Sequence, residues 1–178
     1  GTRFSEKTKK IPKPMIFLGN KPILFHIIKN YFKAGIKNFI ICTGYKYNII
    51  NNYFKKNSFK KKKISKNSYE YFIKLNGIQV SIKTIFTGQN TLTGTRILKI
   101  KKYIQTNRFF LTYGDGLSNV DLKKLLKFHL KHKKIGTVTS VRPPARFGEL
   151  YIQKDIVKSF KEKPQLNKGW INGGFFVF

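Results

Sequence analysis

The chain has 178 residues, 40% of them hydrophobic and 15% aromatic, so it is long and apolar enough to fold around a core. No apolar stretch approaches the roughly 20 residues that cross a bilayer, and no secretory signal peptide is visible. A single cysteine, Cys42, excludes an intrachain disulfide. We therefore predict one globular domain over residues 1–178 that works in the cytoplasm without a membrane partner.

The formal charge of +30 points first to a polyanionic partner. However, only five of the 37 basic residues are arginines, whereas proteins that bind nucleic acid enrich arginine for its bidentate geometry. Lys, Asn, Ile, Phe and Tyr are all abundant and all have codons rich in A and T, so a biased genome explains the charge. We favour that bias and expect no nucleic-acid partner; a basic nucleic-acid-binding module is the alternative from another class.

The first half of the chain predicts a helix, a strand and a second helix. The first helix follows Pro22 and ends at Gly35, with apolar residues at helical spacing between them: Leu24, Ile27, Ile28 and Tyr31. "NFIICTGY" follows as a strand, in which we interpret Cys42 as a small buried apolar residue. "KYNIINNYFKK" is the second helix, and this alternation predicts a parallel sheet covered by helices.

The middle of the chain departs from that alternation. "KKKK" at 60–63 is interpreted as a solvated loop. In "YEYFIKLNGIQVSIKTIFT", two alternating runs flank Asn76-Gly77, which predicts a β-hairpin inserted into the sheet.

Helix and strand then alternate again from "TRILKIKKYIQ" through "RFFLTYG" and "DLKKLLKFHLKHKK" to "IGTVTSV", before three closing strands. His129 shares a helix face with Leu122, Leu125 and Leu126, so we predict a histidine at the edge of the core. A metal pair with His132 is disfavoured, because no acid lies near the two. We expect a fragment truncated at both ends, since the chain begins with Gly-Thr-Arg and stops inside an apolar strand.

Asp115 stands between Gly114 and Gly116 at the end of a predicted buried strand. Ligands of open α/β sheets bind at the carboxyl ends of strands, and glycines allow a ligand to approach the backbone closely. An aspartate there can hold a metal ion, cap a turn or have no role, and "GDG" alone favours a plain turn. Two polar loops, "GTRFSEKTKKIPKPM" and "TGQNTLTGTR", carry further glycines and cations.

Taken in order, these stretches resemble the sugar-phosphate nucleotidylyltransferase family from the first residue to the last. "GTRFSEKT", "PKPM", "TGQNTLTGTR", "FKEKP" and "INGGFFVF" carry the resemblance, and "TYGDG", "PPARFG" and "NGGFFV" are typical of its cytidylyl branch. The resemblance implies a Rossmann-like α/β nucleotidyltransferase fold, in which helices flank a mostly parallel sheet.

The resemblance also implies a reaction. In that reaction, glucose 1-phosphate would attack CTP with Mg²⁺ as cofactor and give CDP-glucose and pyrophosphate, for bacterial surface polysaccharide such as O-antigen. The alternative is the same chemistry with dTTP, UTP or GTP. The family also implies a homo-oligomer for the intact protein.

The resemblance assigns roles to individual residues. Four would act in catalysis: Arg3 on the departing pyrophosphate, Lys13 between the nucleotide and sugar phosphates, Asp115 on Mg²⁺ and Lys163 on the sugar phosphate. Gly1 and Thr2 would end the triphosphate loop, Gly94 and Arg96 would belong to the base-recognition loop, and Gly148, Glu162, Asn172 and Gly173 would line the sugar pocket. Gln89 and Thr95 depart from the acid and glycine expected in the base-recognition loop, which leaves base preference open.

Overall fold

The computed structural model of the chain describes residues 11–142, 149–161 and 169–178. Four α-helices lie in these ranges: α1 (Ile23–Lys33), α2 (Tyr47–Asn57), α3 (Thr93–Ile100) and α4 (Leu122–His132). None of these helices, across the described ranges, is long and apolar enough to cross a membrane.

Eleven strands accompany the helices in the same ranges. They are β1 (Phe17–Leu18), β2 (Lys21–Pro22), β3 (Asn38–Thr43), β4 (Lys60–Ser65), β5 (Ser68–Leu75), β6 (Ile78–Phe86), β7 (Phe110–Thr112), β8 (Thr137–Val141), β9 (Glu149–Gln153), β10 (Ile156–Lys161) and β11 (Ile171–Val177). The chain divides into two compact units, residues 1–109 with 113–124 and residues 110–112 with 125–178. The prediction of one domain over residues 1–178 stays a prediction.

The first unit is built on a four-stranded sheet in the order β3-β6-β5-β4. β3 runs parallel to β6, whereas β6 with β5 and β5 with β4 are antiparallel pairs. The predicted hairpin is confirmed: Asn76 and Gly77 join β5 to β6 with φ angles of 48° and 76°, the positive values that a tight hairpin turn needs.

The core of the first unit lies between one face of this sheet and helices α1 and α2. The cluster consists of Met15, Leu24, Ile28, Ile50, Phe54, Tyr71, Ile73, Val80 and Ile82. The predicted apolar face of the first helix is confirmed, because all four of its residues are buried. Burial of this face orients α1 against the sheet. The parallel strands β3 and β6 end at Thr43 and Phe86, and a loop follows each of them.

The prediction of a solvated loop at residues 60–63 is wrong. Lys60–Lys63 form most of the edge strand β4, which pairs with β5. A strand needs only backbone hydrogen bonds, and an edge position leaves long side chains free to reach water. Two of these lysines also lie over aromatic rings of β5, with the Nζ atom of Lys61 4.0 Å from the ring centre of Tyr69.

The second unit contains an antiparallel sheet in the order β7-β11-β8 and a separate hairpin of β9 and β10. The α/β class is confirmed, but the described sheets are mixed rather than mostly parallel, since β3–β6 is their one parallel pair. The difference arises because β4, β5 and β6 follow one another as hairpins and β11 returns antiparallel between β7 and β8. Hairpins need no helical crossover.

His129 is buried on α4, in agreement with the prediction that it belongs to a core rather than to a metal site. Its Nδ1 lies 2.9 Å from Oγ1 of Thr137, and Nε2 of His132 lies 2.6 Å from the same oxygen. The two histidines therefore share a hydroxyl group, and the described residues contain no cluster of three metal-ligating side chains.

Candidate functional site

The predicted site residues fall into three groups. Six lie outside the described residues: Gly1, Thr2, Arg3, Gly148, Glu162 and Lys163. Four belong to the first unit: Lys13, Gly94, Arg96 and Asp115. Asn172 and Gly173 belong to the second unit and are described there.

The ring of Pro14 approaches the backbone of Gly114 closely, which brings the surroundings of Lys13 and Asp115 together. Lys13 begins a short 3-10 helix that ends at Met15, and Met15 is anchored in the core at 3% exposure. A methyl group at Gly114 would lie 3.0 Å from Cγ of Pro14, so the missing side chain lets the two segments touch. Lys13 is the neighbour of Pro14 in the chain, and Asp115 is the neighbour of Gly114. Both Lys13 and Asp115 are exposed.

The carboxylate of Asp115 has the properties expected of a magnesium ligand. Within the part of the chain that the structure describes, it makes no hydrogen bond or ion pair with another residue. Mg²⁺ prefers oxygen ligands and is usually held by one or two carboxylates together with substrate phosphates and water. Asp115 therefore fits the donor chemistry of such an ion, with the phosphates of a nucleotide as its natural complement.

Arg96 lies where the parallel strands β3 and β6 end. From α3 its guanidinium donates to the carbonyl oxygen of Thr43 at 3.2 Å, to Oγ1 of Thr87 at 2.5 Å and to the carbonyl oxygen of Gln89 at 3.2 Å. It therefore ties the end of β3 to the loop that follows β6. These three oxygens give its guanidinium a structural role within the first unit. Its predicted contact with the nucleotide stays a prediction.

Gly44 makes this arrangement possible. A Cβ atom at this position would collide with the carbonyl oxygen of Gly88 and would lie 2.9 Å from Nη1 of Arg96. Gly94, in contrast, is exposed in the first turn of α3 with open space where a side chain would stand. Of these two glycines, Gly44 is therefore the one whose missing side chain makes room for the guanidinium of Arg96.

The loop between β6 and α3, residues 87–92, borders the edge at which ligands of α/β sheets bind. It faces solvent, with Leu92 79% exposed, while its first residue, Thr87, is 2% exposed. The loop thus has a fixed base and an open rim. The resemblance placed Gly94 and Arg96 in the base-recognition loop, and the structure puts both on α3, directly after residues 87–92. Sequence analysis missed Thr43, Thr87 and Lys99, which hold the loop.

In the second unit, Asn172 and Gly173 lie in an irregular part of β11. The pairing with β8 shifts between Asn172 and Phe176, and Oδ1 of Asn172 accepts a 2.7 Å hydrogen bond from the backbone N–H of Gly174. A methyl group at Gly173 would lie 2.8 Å from Oγ1 of Thr139. The local structure of β11 therefore accounts for both residue types at these positions. Their predicted contact with the sugar stays a prediction.

The chain resembles known proteins over its whole length. Residues 1–178 match the nucleotidyl transferase family. Glucose-1-phosphate cytidylyltransferase of Salmonella typhi is 42% identical over 99% of this chain and 70% of its own length. Probable glucose-1-phosphate cytidylyltransferase of Bacillus subtilis is 41% identical, with the same shares covered.

The fold has solved counterparts as well. HddC from Yersinia pseudotuberculosis, whose crystal structure was determined in complex with GMP-PN, superimposes with a TM-score of 0.63 at 25% identity. The match covers 94% of this chain and 67% of that protein. Sequence and architecture agree, and the chain belongs to the nucleotidyl transferase family.

Proposed function

We propose that the chain transfers a cytidylyl group from CTP to α-D-glucose 1-phosphate, giving CDP-glucose and pyrophosphate. The observation that carries this proposal is the 42% identity to a glucose-1-phosphate cytidylyltransferase over 99% of the chain. The contact between Pro14 and Gly114, which brings the surroundings of Lys13 and Asp115 together, supports it.

In this reaction a phosphate oxygen of the sugar phosphate attacks the α-phosphorus of CTP. A new P–O bond forms, the bond between the α-phosphorus and the bridging oxygen breaks, and pyrophosphate leaves with that oxygen. Such transfers require little covalent chemistry from a protein, because positioning and neutralisation of charge lower the barrier. Cationic and metal-binding side chains are therefore what the site must supply.

Asp115 and Lys13 would supply two of these functions. Mg²⁺, when bound through Asp115, would neutralise phosphate charge and orient the triphosphate. The ammonium group of Lys13 would lie between the nucleotide and sugar phosphates and offset their mutual repulsion. The proposal also assigns Arg3 to pyrophosphate and Lys163 to the sugar phosphate, with Gly148, Glu162, Asn172 and Gly173 around the sugar, and a homo-oligomer as the working form.

The identity of the base is the part of the proposal that a direct assay decides. Pyrophosphate release should be measured with glucose 1-phosphate, Mg²⁺ and each of CTP, dTTP, UTP and GTP in parallel. CTP should be preferred over the other three nucleotides. If another nucleotide were preferred, the chain would still be a sugar-phosphate nucleotidylyltransferase, but CTP would not be its substrate. If no nucleotide released pyrophosphate, the proposed function would be rejected.

The role of Asp115 is tested by Asp115→Asn, which removes the charge and keeps the shape. We expect kcat to fall about a hundredfold or more, because a metal ion contributes several kcal/mol of charge stabilisation. Asp155→Asn is the matched control, since it makes the same change at an exposed acid in the turn between β9 and β10. Equal activity of the two variants would remove Asp115 from the metal site.

A further inference from the structure

The loop of residues 87–92 is held at its base by two side chains besides Arg96. Thr87 is its first residue and follows β6 directly. Lys99 lies one turn beyond Arg96 on α3, so the two cations share a face of the helix. Together they join the start of the loop to β3 and to α3.

Thr87 is the centre of this fastening. Its Oγ1 donates a 2.9 Å hydrogen bond to the carbonyl oxygen of Thr43 and accepts one from Nη1 of Arg96. The backbone N–H of Thr87 donates to the same carbonyl oxygen, also at 2.9 Å. A hydroxyl group has one proton and two lone pairs, so it can donate one hydrogen bond and accept others at the same time. The hydroxyl group of Thr87 thereby joins the end of β3 to Arg96 on α3.

Lys99 holds the loop from α3. Its Nζ donates to the carbonyl oxygen of Thr87 at 2.8 Å and lies 3.4 Å from Oγ1 of Thr91. Oγ1 of Thr91 in turn donates to the carbonyl oxygen of Thr87 at 2.7 Å. The ammonium group therefore links residues 87 and 91 and closes the turn between them.

We propose that Thr87 and Lys99 are positioning residues that fix the conformation of the loop of residues 87–92 for recognition of the nucleotide base. The proposal rests on the proposed function, because the resemblance places base recognition in residues 87–96, which include this loop. Neither side chain needs to touch the nucleotide. Each acts through the backbone of the loop, and a loop without them would sample other conformations and bind CTP more weakly.

Steady-state kinetics with CTP and glucose 1-phosphate test this role. Thr87→Val and Lys99→Met should each raise KM for CTP about tenfold, because a small misplacement of binding groups costs one to two orders of magnitude. The values of kcat and of KM for glucose 1-phosphate should change little, which marks a loss confined to nucleotide binding. Thr87→Ser, which keeps the hydroxyl group, should restore most of the affinity.

Two control variants separate positioning from general damage. Thr84→Val removes the hydroxyl group of another buried threonine of β6, which donates to the carbonyl oxygen of Tyr69 and not to the loop. Lys101→Met removes an exposed lysine just beyond α3. Both should keep the CTP affinity of the unchanged protein, and a loss in these controls equal to that in Thr87→Val and Lys99→Met would overturn the proposal.

Hydrogen exchange gives a readout that does not depend on activity. The backbone amide of Thr87, which donates to the carbonyl oxygen of Thr43, should exchange faster in Thr87→Val and Lys99→Met than in the unchanged protein and the two controls. Unchanged exchange would overturn the positioning role even if CTP proved to be the substrate. Faster exchange in a protein that used no nucleotide would reject the proposed function and keep the role in holding the loop.

Discussion

Glu70 is an acidic side chain enclosed between lysines. It lies on β5, with Lys83 opposite on β6 and Lys62 opposite on β4. Its Oε1 accepts a 2.7 Å hydrogen bond from Oγ of Ser81 and lies 3.2 Å from Nζ of Lys83. Burial raises the pKa of Glu70, but the Ser81 hydrogen bond and the charges of Lys83 and Lys62 outweigh it and hold the pKa below 4.5.

A lowered pKa has a definite consequence for stability. The charged carboxylate stabilises the fold in full above the ordinary pKa of 4.5, and this contribution is lost as the pH falls through the lowered value. Glu70→Gln should therefore reduce the free energy of unfolding by about 1–3 kcal/mol at pH 7, since it removes a charge-assisted hydrogen bond. Urea unfolding from pH 7 to pH 3 measures the difference between the two proteins, which should shrink towards the acid end.

Asp155→Asn is the control for this prediction, because it also neutralises one acid but at an exposed turn. It should leave the unfolding free energy at pH 7 unchanged. A difference between Glu70→Gln and the unchanged protein that stayed constant down to pH 3 would mean that the carboxylate charge does not contribute.

Cys42 is half-buried on β3 rather than fully buried as predicted, but its chemistry agrees with the prediction that it is no nucleophile. Burial raises the pKa of its thiol to about 11, although the nearby charge of Arg96 lowers it in part. The group is therefore a thiol at neutral pH, and it lies 4.0 Å from the carbonyl oxygen of Arg96. A thiol is a poor nucleophile, as expected for a side chain that fills space in β3.

At the scale of elements, β4 shows how charge can protect an edge. Its four consecutive lysines are exposed, and β4 forms one end of the strand order β3-β6-β5-β4. Natural sheets often place lysine on edge strands, because a row of charges opposes pairing with another chain. The lysine run thus has a structural role that requires no polyanion.

Replacing Lys60–Lys63 with threonine tests that role. Threonine favours strands and removes the repulsion, so the variant should form assemblies through β4 that are larger than those of the unchanged protein. Sedimentation velocity over a series of protein concentrations would show the increase in mass. The four-arginine variant keeps the charge and is the matched control. A threonine variant with the mass of the unchanged protein would show that the lysines do not guard the edge.

The same element explains what the sequence could predict. Asn76-Gly77 and the apolar face of α1 depend on local backbone angles and helical spacing, so both were predictable. β4 was missed because its lysines give no alternation of apolar and polar residues, and only the neighbouring strand β5 makes it a strand. Contacts such as that of Thr87 with Thr43 join residues 44 positions apart, and no local pattern reports them.

For the molecule as a whole, the positive charge is accommodated mainly without acids. The described residues contain two ion pairs, whereas six lysines lie over aromatic rings. A cation over an exposed aromatic ring contributes about 0.5–1 kcal/mol, similar to a surface ion pair. A composition rich in both lysine and aromatic residues therefore supports a stable fold, which agrees with compositional bias as the source of the charge.

Burial is uneven along the chain, and this predicts uneven local stability. In β6, Val80, Ile82 and Thr84 are at 0% exposure, and the strand pairs with β3 on one side and β5 on the other. In the hairpin of β9 and β10, which in the described residues pair only with each other, large apolar side chains such as Tyr151 and Ile156 are about 60% exposed. An isolated two-stranded hairpin is at best marginally stable in water.

Hydrogen exchange resolved by peptide should therefore differ strongly between these segments. Opening of a core strand approaches the free energy of global unfolding, whereas an exposed hairpin opens at little cost, so amides of β6 should exchange at least about a thousandfold more slowly. Equal protection would mean that the apolar side chains of β9 and β10 are covered in solution. Repeating the measurement at low protein concentration would then identify the cover: protection lost on dilution implies a second copy of the chain, and protection retained implies another segment of the same chain.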